Sequence, residues 1–230
     1  MVDAASQNIR LYRFMAAKWA LRSIETRELR VGRLTELNDP FEFVPGIEGL
    51  RDDAPMDVVR AHLSAIQADL DSKIGLLSFT STPHEPTLWS HYAESHMGIA
   101  LGFDISPNSL VLEKVEYPDP AKRPTIHPRN PDRSAWMDCV IKTFTTKALG
   151  WKAESEYRVL VHLALSGCRT ENNNYFVPMA DDGVVLVEVI LGCKCSLNEN
   201  SVDQVLRQHG FNDVHVVRAK LSVDTFQVEF

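Results

Sequence analysis

The pattern of apolar and polar positions predicts more strands than helices. Short apolar or alternating runs, typical of strands, occupy residues 9–14, 29–34, 74–82, 99–103, 110–117, 156–165, 184–191, 214–219 and 221–230. Apolar residues recur at helical spacing in residues 16–26, 53–70, 88–95, 133–149 and 199–208. Because the two kinds of element do not alternate regularly, the predicted fold class is α+β, with mostly antiparallel strands and covering helices in a single domain spanning 1–230.

The segment 87–104 predicts a helix that leads directly into a buried strand. Within the helix, aromatic and titratable residues stand next to one another around the whole circumference, whereas a core helix keeps apolar groups on one stripe. Two interpretations stay open. Either the exposed side of the helix binds a ligand, or Leu88, Trp89, Tyr92, Ala93 and His96 belong to the core and His91 is exposed.

Two turn-rich segments interrupt these elements. Asn38 and Asp39 precede a proline and predict a tight turn, which we expect to lie beside the 88–95 helix and to share a site with His91. Five prolines fall between positions 118 and 131. Their density excludes regular structure and predicts a mobile surface loop that acts as a lid or a partner contact.

Composition and charge limit the classes of function. No apolar run approaches the roughly 18 residues needed to span a bilayer, and the N-terminus lacks an apolar signal core, so we expect a cytoplasmic protein with no membrane partner. The net charge of −7 argues against broad binding to nucleic-acid phosphates, but a local basic cleft stays possible. The cysteines at 139, 168, 193 and 195 lack zinc-site spacing, so reduced thiols and no metal are predicted.

Three motifs, in order, resemble a bacterial family catalogued as domain of unknown function family 2971. They are NDPFE at 38–42, WSHYA-x-x-H-x-G at 89–98 and E-x-E-Y-R at 154–158. With the opening LYRF, this resemblance spans nearly the whole chain. It implies one domain, and the family carries no established activity.

A second set of residues resembles ADP-ribosyltransferases of the arginine–serine–glutamate type. Those enzymes have an arginine on the first strand, a Ser-Thr-Ser-like strand end and a Glu-x-Glu on a later strand. The matching positions are Arg13, the strand end SFTST, and Glu154 with Glu156. Because SFTST departs from the pattern, the serine role is open between Ser78 and Ser81. The resemblance implies an ADP-ribosyltransferase-like fold, NAD as cofactor, a macromolecular target that is a protein or a nucleic acid, and a role as a toxin or in phage defence.

The chemistry of NAD cleavage explains these residue types. Breaking the nicotinamide–ribose bond builds positive charge on the sugar carbon, and the carboxylate of Glu156 would stabilise that charge. The guanidinium of Arg13 suits the pyrophosphate, and Tyr92 or Trp89 would stack on the nicotinamide. The catalytic candidates are Glu156, Glu154 and His91; the cofactor-binding candidates are Arg13, Ser78, Ser81, Trp89, Tyr92, His96, Asn38 and Asp39. NAD glycohydrolase activity is the variant in which water is the acceptor.

A structural role is one alternative. Alternate positions on a strand put Glu154, Glu156 and Arg158 on one face, which is also typical of a solvated, ion-paired sheet edge. Arg13 would then pair with Asp39 as part of the scaffold.

Two other functions stay open. A nucleic-acid hydrolase would use Asp39, Glu42, Glu156 and His91 to hold Mg²⁺ or Mn²⁺. A non-catalytic ligand-binding module would use the same aromatic residues. The target, the oligomeric state and the regulation are not defined by the sequence.

Overall fold

The computed structural model describes residues 8–47, 55–106, 112–119, 124–126, 133–164, 167–179 and 183–230. Its strands are β1 Ile9–Met15, β2 Glu28–Arg33, β3 Gly46–Ile47, β4 Ile74–Thr80, β5 Ile99–Ile105, β6 Leu112–Lys114, β7 Thr125–Ile126, β8 Glu156–His162, β9 Arg169–Glu171, β10 Asn174–Pro178, β11 Val184–Leu191, β12 His215–Arg218, β13 Lys220–Leu221 and β14 Val228–Glu229. Its α-helices are α1 Ala17–Thr26, α2 Met56–Lys73, α3 Pro86–Tyr92, α4 Arg133–Phe144 and α5 Glu199–Gln208, and 3-10 helices span Leu34–Glu36 and Leu149–Glu154.

The α+β class is confirmed. A ten-stranded sheet has the order β12-β11-β5-β1-β4-β2-β10-β9, and β8 pairs with β4 and with β6. The pairs in this sheet are antiparallel, except that β11 and β12 run parallel. Within the described part of the chain, no helix combines the length and the apolar character needed to cross a membrane.

The sheet forks at β4. One edge of β4 pairs with β8 along its whole length. The other edge is shared, because Tyr12 of β1 pairs with Thr80 while Gly32 of β2 pairs with Leu76. Residues 77–79 lie between these two pairings, and no strand in the described part of the chain pairs with them on that edge. The fork leaves an opening in the sheet beside these residues.

Two cores cover the faces of β5, as its continuous apolar run predicts. Leu101 and Phe103 are fully buried in the larger core, to which α1 and α5 contribute. Ala100 points to the opposite face and packs in a second cluster with Trp89 of α3. The alternation of a strand therefore explains why this segment has no polar face.

The turn from α3 into β5 needs a glycine. Glu94, Ser95 and His96 have left-handed φ values of 47°, 56° and 71°, which end the helix at Tyr92 rather than at the predicted residue 95. A Cβ on Gly98 would lie 2.3 Å from a backbone oxygen of β1. Only glycine permits this close approach.

Other predicted boundaries also change. The helix predicted at 133–149 ends at Phe144, and the strand predicted at 221–230 is replaced by the short β13–β14 pair. Helix α2 begins at Met56, and its predicted cap, Asp53, lies outside the described residues. The sequence did not predict β9 and β10, which form a hairpin.

Much of the predicted loop 118–131 lies outside the described residues, namely 120–123 and 127–131, so its mobility stays a prediction. The expectation that it contains no regular element is wrong at Thr125–Ile126, which pair in parallel with Gly46–Ile47. The amide of Gly46 also donates to the oxygen of Pro124 at 2.8 Å. Backbone carbonyls of this proline-rich segment therefore still serve as acceptors.

Candidate ligand-binding pocket

A cavity of about 400 Å³ opens at the fork of the sheet. Its volume lies within the range of small-molecule sites. We call it the fork cavity. Of the predicted site residues, the structure brings seven to its lining: Arg13, Asn38, Ser78, His91, Tyr92, Glu154 and Glu156.

Five charged side chains form a buried charge cluster in its wall, made of Glu42, Lys147, Glu154, Glu156 and Arg158. Lys147 Nζ lies 2.5 Å from Glu154 Oε2, 3.0 Å from Glu42 Oε1 and 3.3 Å from Glu156 Oε2. Arg158 donates to both oxygens of Glu156 at 2.8 Å and to Glu42 at 2.5 Å. Three carboxylates against two cations leave one net negative charge.

The predicted solvated sheet edge is therefore wrong. Glu156 is 5% exposed and Arg158 is 1% exposed, because β8 is an inner strand, paired with β4 on one side and β6 on the other. Glu154 also lies outside the strand, as the last residue of a 3-10 helix. Ser155, at φ 44°, makes the bend between the two glutamates, and both still reach Lys147.

The surroundings favour the charged forms of Glu156 and Lys147 but not of Glu42. Burial raises the pKa of the Glu156 carboxyl, but the charge and hydrogen bonds of Arg158, together with Lys147, outweigh burial and lower it. Burial lowers the pKa of Lys147, and the surrounding glutamates reverse this and raise it. For Glu42 the balance is opposite, since burial outweighs Arg158 and Lys147 and raises the pKa. Glu42 is thus expected to accept a proton more readily than Glu156 as the pH falls.

Two phenols contact the glutamates. Burial and a hydrogen bond to Glu154 raise the pKa of Tyr92, whose hydroxyl donates to Glu154 Oε1 at 2.5 Å. Burial raises the pKa of Tyr117 to about 12, and its hydroxyl accepts a hydrogen bond from the Glu156 amide at 2.9 Å. Both phenols therefore keep their protons at neutral pH; Tyr92 holds the carboxylate of Glu154, and Tyr117 holds the backbone of Glu156.

Arg13 differs from the other cations of the wall, because no carboxylate pairs with it among the described residues. Its Nη2 donates to the oxygen of Arg30 at 2.6 Å, across the opening between β1 and β2. Its Nη1 is buried and has no hydrogen-bond partner in the described part of the chain. Burial, and then the charge of Arg30, lower the pKa of Arg13 to about 10. A partly buried cation without a counter-charge among the described residues favours the binding of an anion.

The expected scaffold pair of Arg13 with Asp39 is wrong. Asp39 accepts a hydrogen bond from the Phe41 amide at 2.9 Å and lines a different cavity. The tight turn predicted at Asn38 and Asp39 is present, since the Glu42 amide also donates to the Asp39 oxygen at 3.1 Å. Only Asn38 of the two lines the fork cavity with His91.

Three further candidates lie outside the fork cavity. Trp89 is fully buried, and its indole N–H donates to the Pro83 oxygen at 2.8 Å, so it cannot stack on a ligand. His96 follows the end of the helix and stacks on Trp89, with ring centroids 6.3 Å apart. Ser81 follows the end of β4, is exposed and donates to the Ser155 oxygen at 3.4 Å. His91 is exposed, as the core interpretation of this helix predicted.

The metal site proposed for a hydrolase does not form. The oxygens of Glu42 and Glu156 are bonded to Arg158 and Lys147, and Asp39 lies in the other cavity. Across the described ranges, no group of three or more His, Cys, Asp or Glu side chains is placed to hold a metal ion.

The prediction missed Lys147 and left Arg158 in a structural role. Arg158 belongs to the E-x-E-Y-R motif, so the sequence carried a signal for it. No pattern in the sequence singles out Lys147, because it becomes part of the cluster only through the packing of the segment after α4 against β8.

The fold and the cavity define an α+β protein with a ligand-sized opening in its sheet, one wall of which carries buried carboxylates. Comparison of the chain with protein-family models, with curated proteins and with solved structures found no match. Both family resemblances therefore stay predictions.

Proposed function

We propose that the chain is an NAD-consuming enzyme of the ADP-ribosyltransferase-like kind, acting on a macromolecular target or, as a glycohydrolase, on water. One observation carries the proposal. The guanidinium of Arg13, which has no carboxylate partner among the described residues, lines the same fork cavity as the carboxylates of Glu154 and Glu156. Anion binding and stabilisation of a cationic sugar are the two tasks that NAD cleavage requires.

Arg13 is the proposed pyrophosphate ligand. Its Nη1 is already desolvated, so most of the dehydration cost of an ion pair falls on the free protein rather than on binding. The guanidinium presents its donors in a plane that matches phosphate oxygens. Ser78 lies on the β4 segment that, among the described residues, no strand pairs with on the edge facing the fork, and it lines the same cavity as Arg13.

The buried charge cluster is the proposed stabiliser of the sugar. When the bond between ribose and nicotinamide breaks, nicotinamide leaves with the bonding electrons, and a lone pair of the acceptor forms the new bond to the ribose carbon. Glu156, with Glu154, holds the net negative charge of the cluster towards that carbon. His91, exposed at the cavity, takes the proton that the acceptor releases.

Other features fit this assignment. Within the described residues the four cysteines are free thiols, as expected of a protein that works in the reducing cytoplasm. The resemblance to the arginine–serine–glutamate transferases supports the same roles for Arg13, Ser78 and Glu156, and a role as a toxin or in phage defence is part of the proposal. Membership of domain of unknown function family 2971 is also part of the proposal.

One observation favours a second candidate, the non-catalytic ligand-binding module. Each carboxylate oxygen of Glu154 and Glu156 is bonded to Lys147, Arg158 or Tyr92. Carboxylates whose oxygens are all bonded in this way also suit a rigid cavity that binds an anion at Arg13 without turnover. The two candidates share the anion site and differ in turnover.

The test measures NAD binding by calorimetry and nicotinamide release by chromatography in parallel. Wild type is compared with Arg13→Met, with Glu156→Gln and with Glu36→Gln. The last is a control, because Glu36 lines the same cavity but is an exposed partner of Arg30. We expect Arg13→Met to lose binding and Glu156→Gln to keep binding while losing about 100-fold in rate.

Binding without turnover by wild type, across protein, nucleic-acid and water acceptors, would leave the binding module. The absence of both would refute the NAD assignment altogether. Melting temperatures identify any variant whose loss reflects unfolding.

A further inference from the structure

Another cavity, of about 420 Å³, adjoins the fork cavity. Helix α1 and the β9–β10 hairpin contribute most of its described lining, so we call it the hairpin cavity. Arg13, Phe14 and Arg30 line both cavities, which therefore share a wall. Each of the two has a volume in the range of small-molecule sites.

The unbalanced charge of the hairpin cavity is positive and belongs to the shared wall. The carboxylates of its described lining are already paired, Glu28 with Arg169 at 2.5 Å and Glu171 with Arg22 at 2.8 Å. They do not pair with Arg13, which has no carboxylate partner in the described part of the chain. An anion that pairs with Arg13 would therefore lie at the boundary between the two cavities.

Trp19 adds an exposed aromatic ring to the lining of the hairpin cavity. It is 52% exposed, although tryptophan is on average highly buried in folded proteins. Among the described residues its ring contact is Lys18, itself exposed, whose Nζ lies 4.9 Å from the centroid. A single cation covers one face of an indole, so the other face can stack on a planar group.

The turn of the hairpin adds a side-chain amide. Asn172 is exposed and lines the cavity, and its amide group makes no hydrogen bond within the described ranges. An amide offers a donor and an acceptor side by side, which match the N6 and N7 edge of adenine.

We propose that the hairpin cavity binds an adenine nucleotide, namely the adenosine monophosphate half of NAD, whose nicotinamide half lies in the fork cavity. A dinucleotide consists of two nucleosides joined by a pyrophosphate, and the protein has two cavities of about 400 and 420 Å³ that meet at Arg13. Trp19 stacks on the adenine, and Asn172 bonds to its edge.

The inference rests on the proposed function and adds a substrate preference to it. An enzyme with the fork cavity alone would accept nicotinamide mononucleotide as readily as NAD. With the hairpin cavity as the second subsite, the affinity for the dinucleotide exceeds that for the mononucleotide by the contribution of the adenosine half.

The test titrates the full chain by calorimetry with NAD, nicotinamide mononucleotide, adenosine monophosphate and inorganic phosphate. We expect wild type to bind NAD at least about tenfold more tightly than nicotinamide mononucleotide. Trp19→Ala should lose about tenfold in affinity for NAD and for adenosine monophosphate, because it removes the stacking surface, and should bind nicotinamide mononucleotide as wild type does. Phe226→Ala is the matched control and should bind all probes as wild type does, since Phe226 is 100% exposed and lines neither cavity.

Equal affinities of wild type for NAD and nicotinamide mononucleotide, or unchanged affinity for NAD in Trp19→Ala, would overturn the inference and leave the proposed function intact. So would inorganic phosphate that binds as tightly as adenosine monophosphate, because the site would then recognise the anion alone. If Trp19→Ala does not fold, Asn172→Gly decides by the same comparison, since glycine accepts the left-handed φ of 49° and lacks the amide.

Binding of neither NAD nor nicotinamide mononucleotide by wild type would refute the proposed function. Adenosine monophosphate then decides the inference by itself. Binding that weakens in Trp19→Ala keeps the hairpin cavity as an adenine nucleotide site, whereas no saturable binding up to about 10 mM overturns it as well.

Discussion

Replacing Arg13 by methionine tests whether the fork cavity is built for an anion. Burial lowers the pKa of Arg13 from its ordinary value of 12.5 to about 10. After allowance for partial exposure, this shift corresponds to about 2 to 3 kcal/mol by which burial of the charge opposes folding. Methionine removes this cost. It also removes the hydrogen bond from Nη2 to the Arg30 oxygen, a charged donor whose loss costs about 1.5 to 3 kcal/mol. The two terms nearly cancel, so we expect the free energy of unfolding to change by less than about 1 kcal/mol.

Arg158→Met is the matched control, since both arginines line the fork cavity. Arg158 is bonded to Glu42 and Glu156, and its removal leaves two buried carboxylates without their partner. We expect a loss of about 3 to 5 kcal/mol.

Urea denaturation followed by tryptophan fluorescence measures both variants, with and without pyrophosphate. Pyrophosphate should stabilise wild type and leave Arg13→Met unchanged. If Arg13→Met loses more than about 2 kcal/mol, or is stabilised by pyrophosphate as wild type is, the guanidinium has a structural role and our reasoning is wrong.

The remaining predictions concern the two carboxylates bound to Arg158 and the glycine before β5. Glu156→Gln should lower the free energy of unfolding by about 2 to 4 kcal/mol at neutral pH. Because folding lowers the pKa of Glu156, its contribution is present above the unfolded-state pKa and is lost as the pH falls, so the deficit of the variant should shrink in acid. Glu42→Gln should cost less than about 1 kcal/mol, since folding raises the pKa of Glu42 and its ionised form opposes folding at neutral pH. Denaturation of both variants from neutral to acidic pH checks the contrast, and equal losses at every pH would contradict it. Gly98→Ala should lose more than about 2 kcal/mol in thermal unfolding, because its Cβ would lie 2.3 Å from the Met15 oxygen. A variant as stable as wild type would show that the backbone moves aside there.

Elements with a strong local signal were predicted well. Strand β11 and helix α5 have the predicted bounds, because a long apolar run and an amphipathic repeat with a capping asparagine leave few alternatives. The β9–β10 hairpin was missed although it carries a signal. Asn172 and Asn173 adopt left-handed φ values of 49° and 61°, as a two-residue hairpin turn requires, and asparagine tolerates them.

The candidate site was predicted in part, for a physical reason. Arg13, Ser78 and Glu156 belong to short patterns on single strands, and the fork brings these strands to one cavity. Burial depends on long-range packing, so alternation along 154–158 could not show that Glu154 and Glu156 are buried with Lys147. The aromatic sequence of α3 likewise could not show which ring faces the core; the structure assigns that place to Trp89.

The fork also leaves few strand pairings between two parts of the sheet. Strands β12, β11, β5 and β1 join the remaining strands of the sheet through the Tyr12–Thr80 pairing, supplemented by the hydrogen bond of Arg13 to the Arg30 oxygen. The backbone groups of 77–79 that face the opening have no strand among the described residues to protect them. The amide hydrogens of 77–79 that face the opening should therefore exchange with solvent faster than amide hydrogens that are bonded between two inner strands of the sheet. Occupancy of the opening would slow them, so that hydrogen exchange reports a bound ligand before its identity is known.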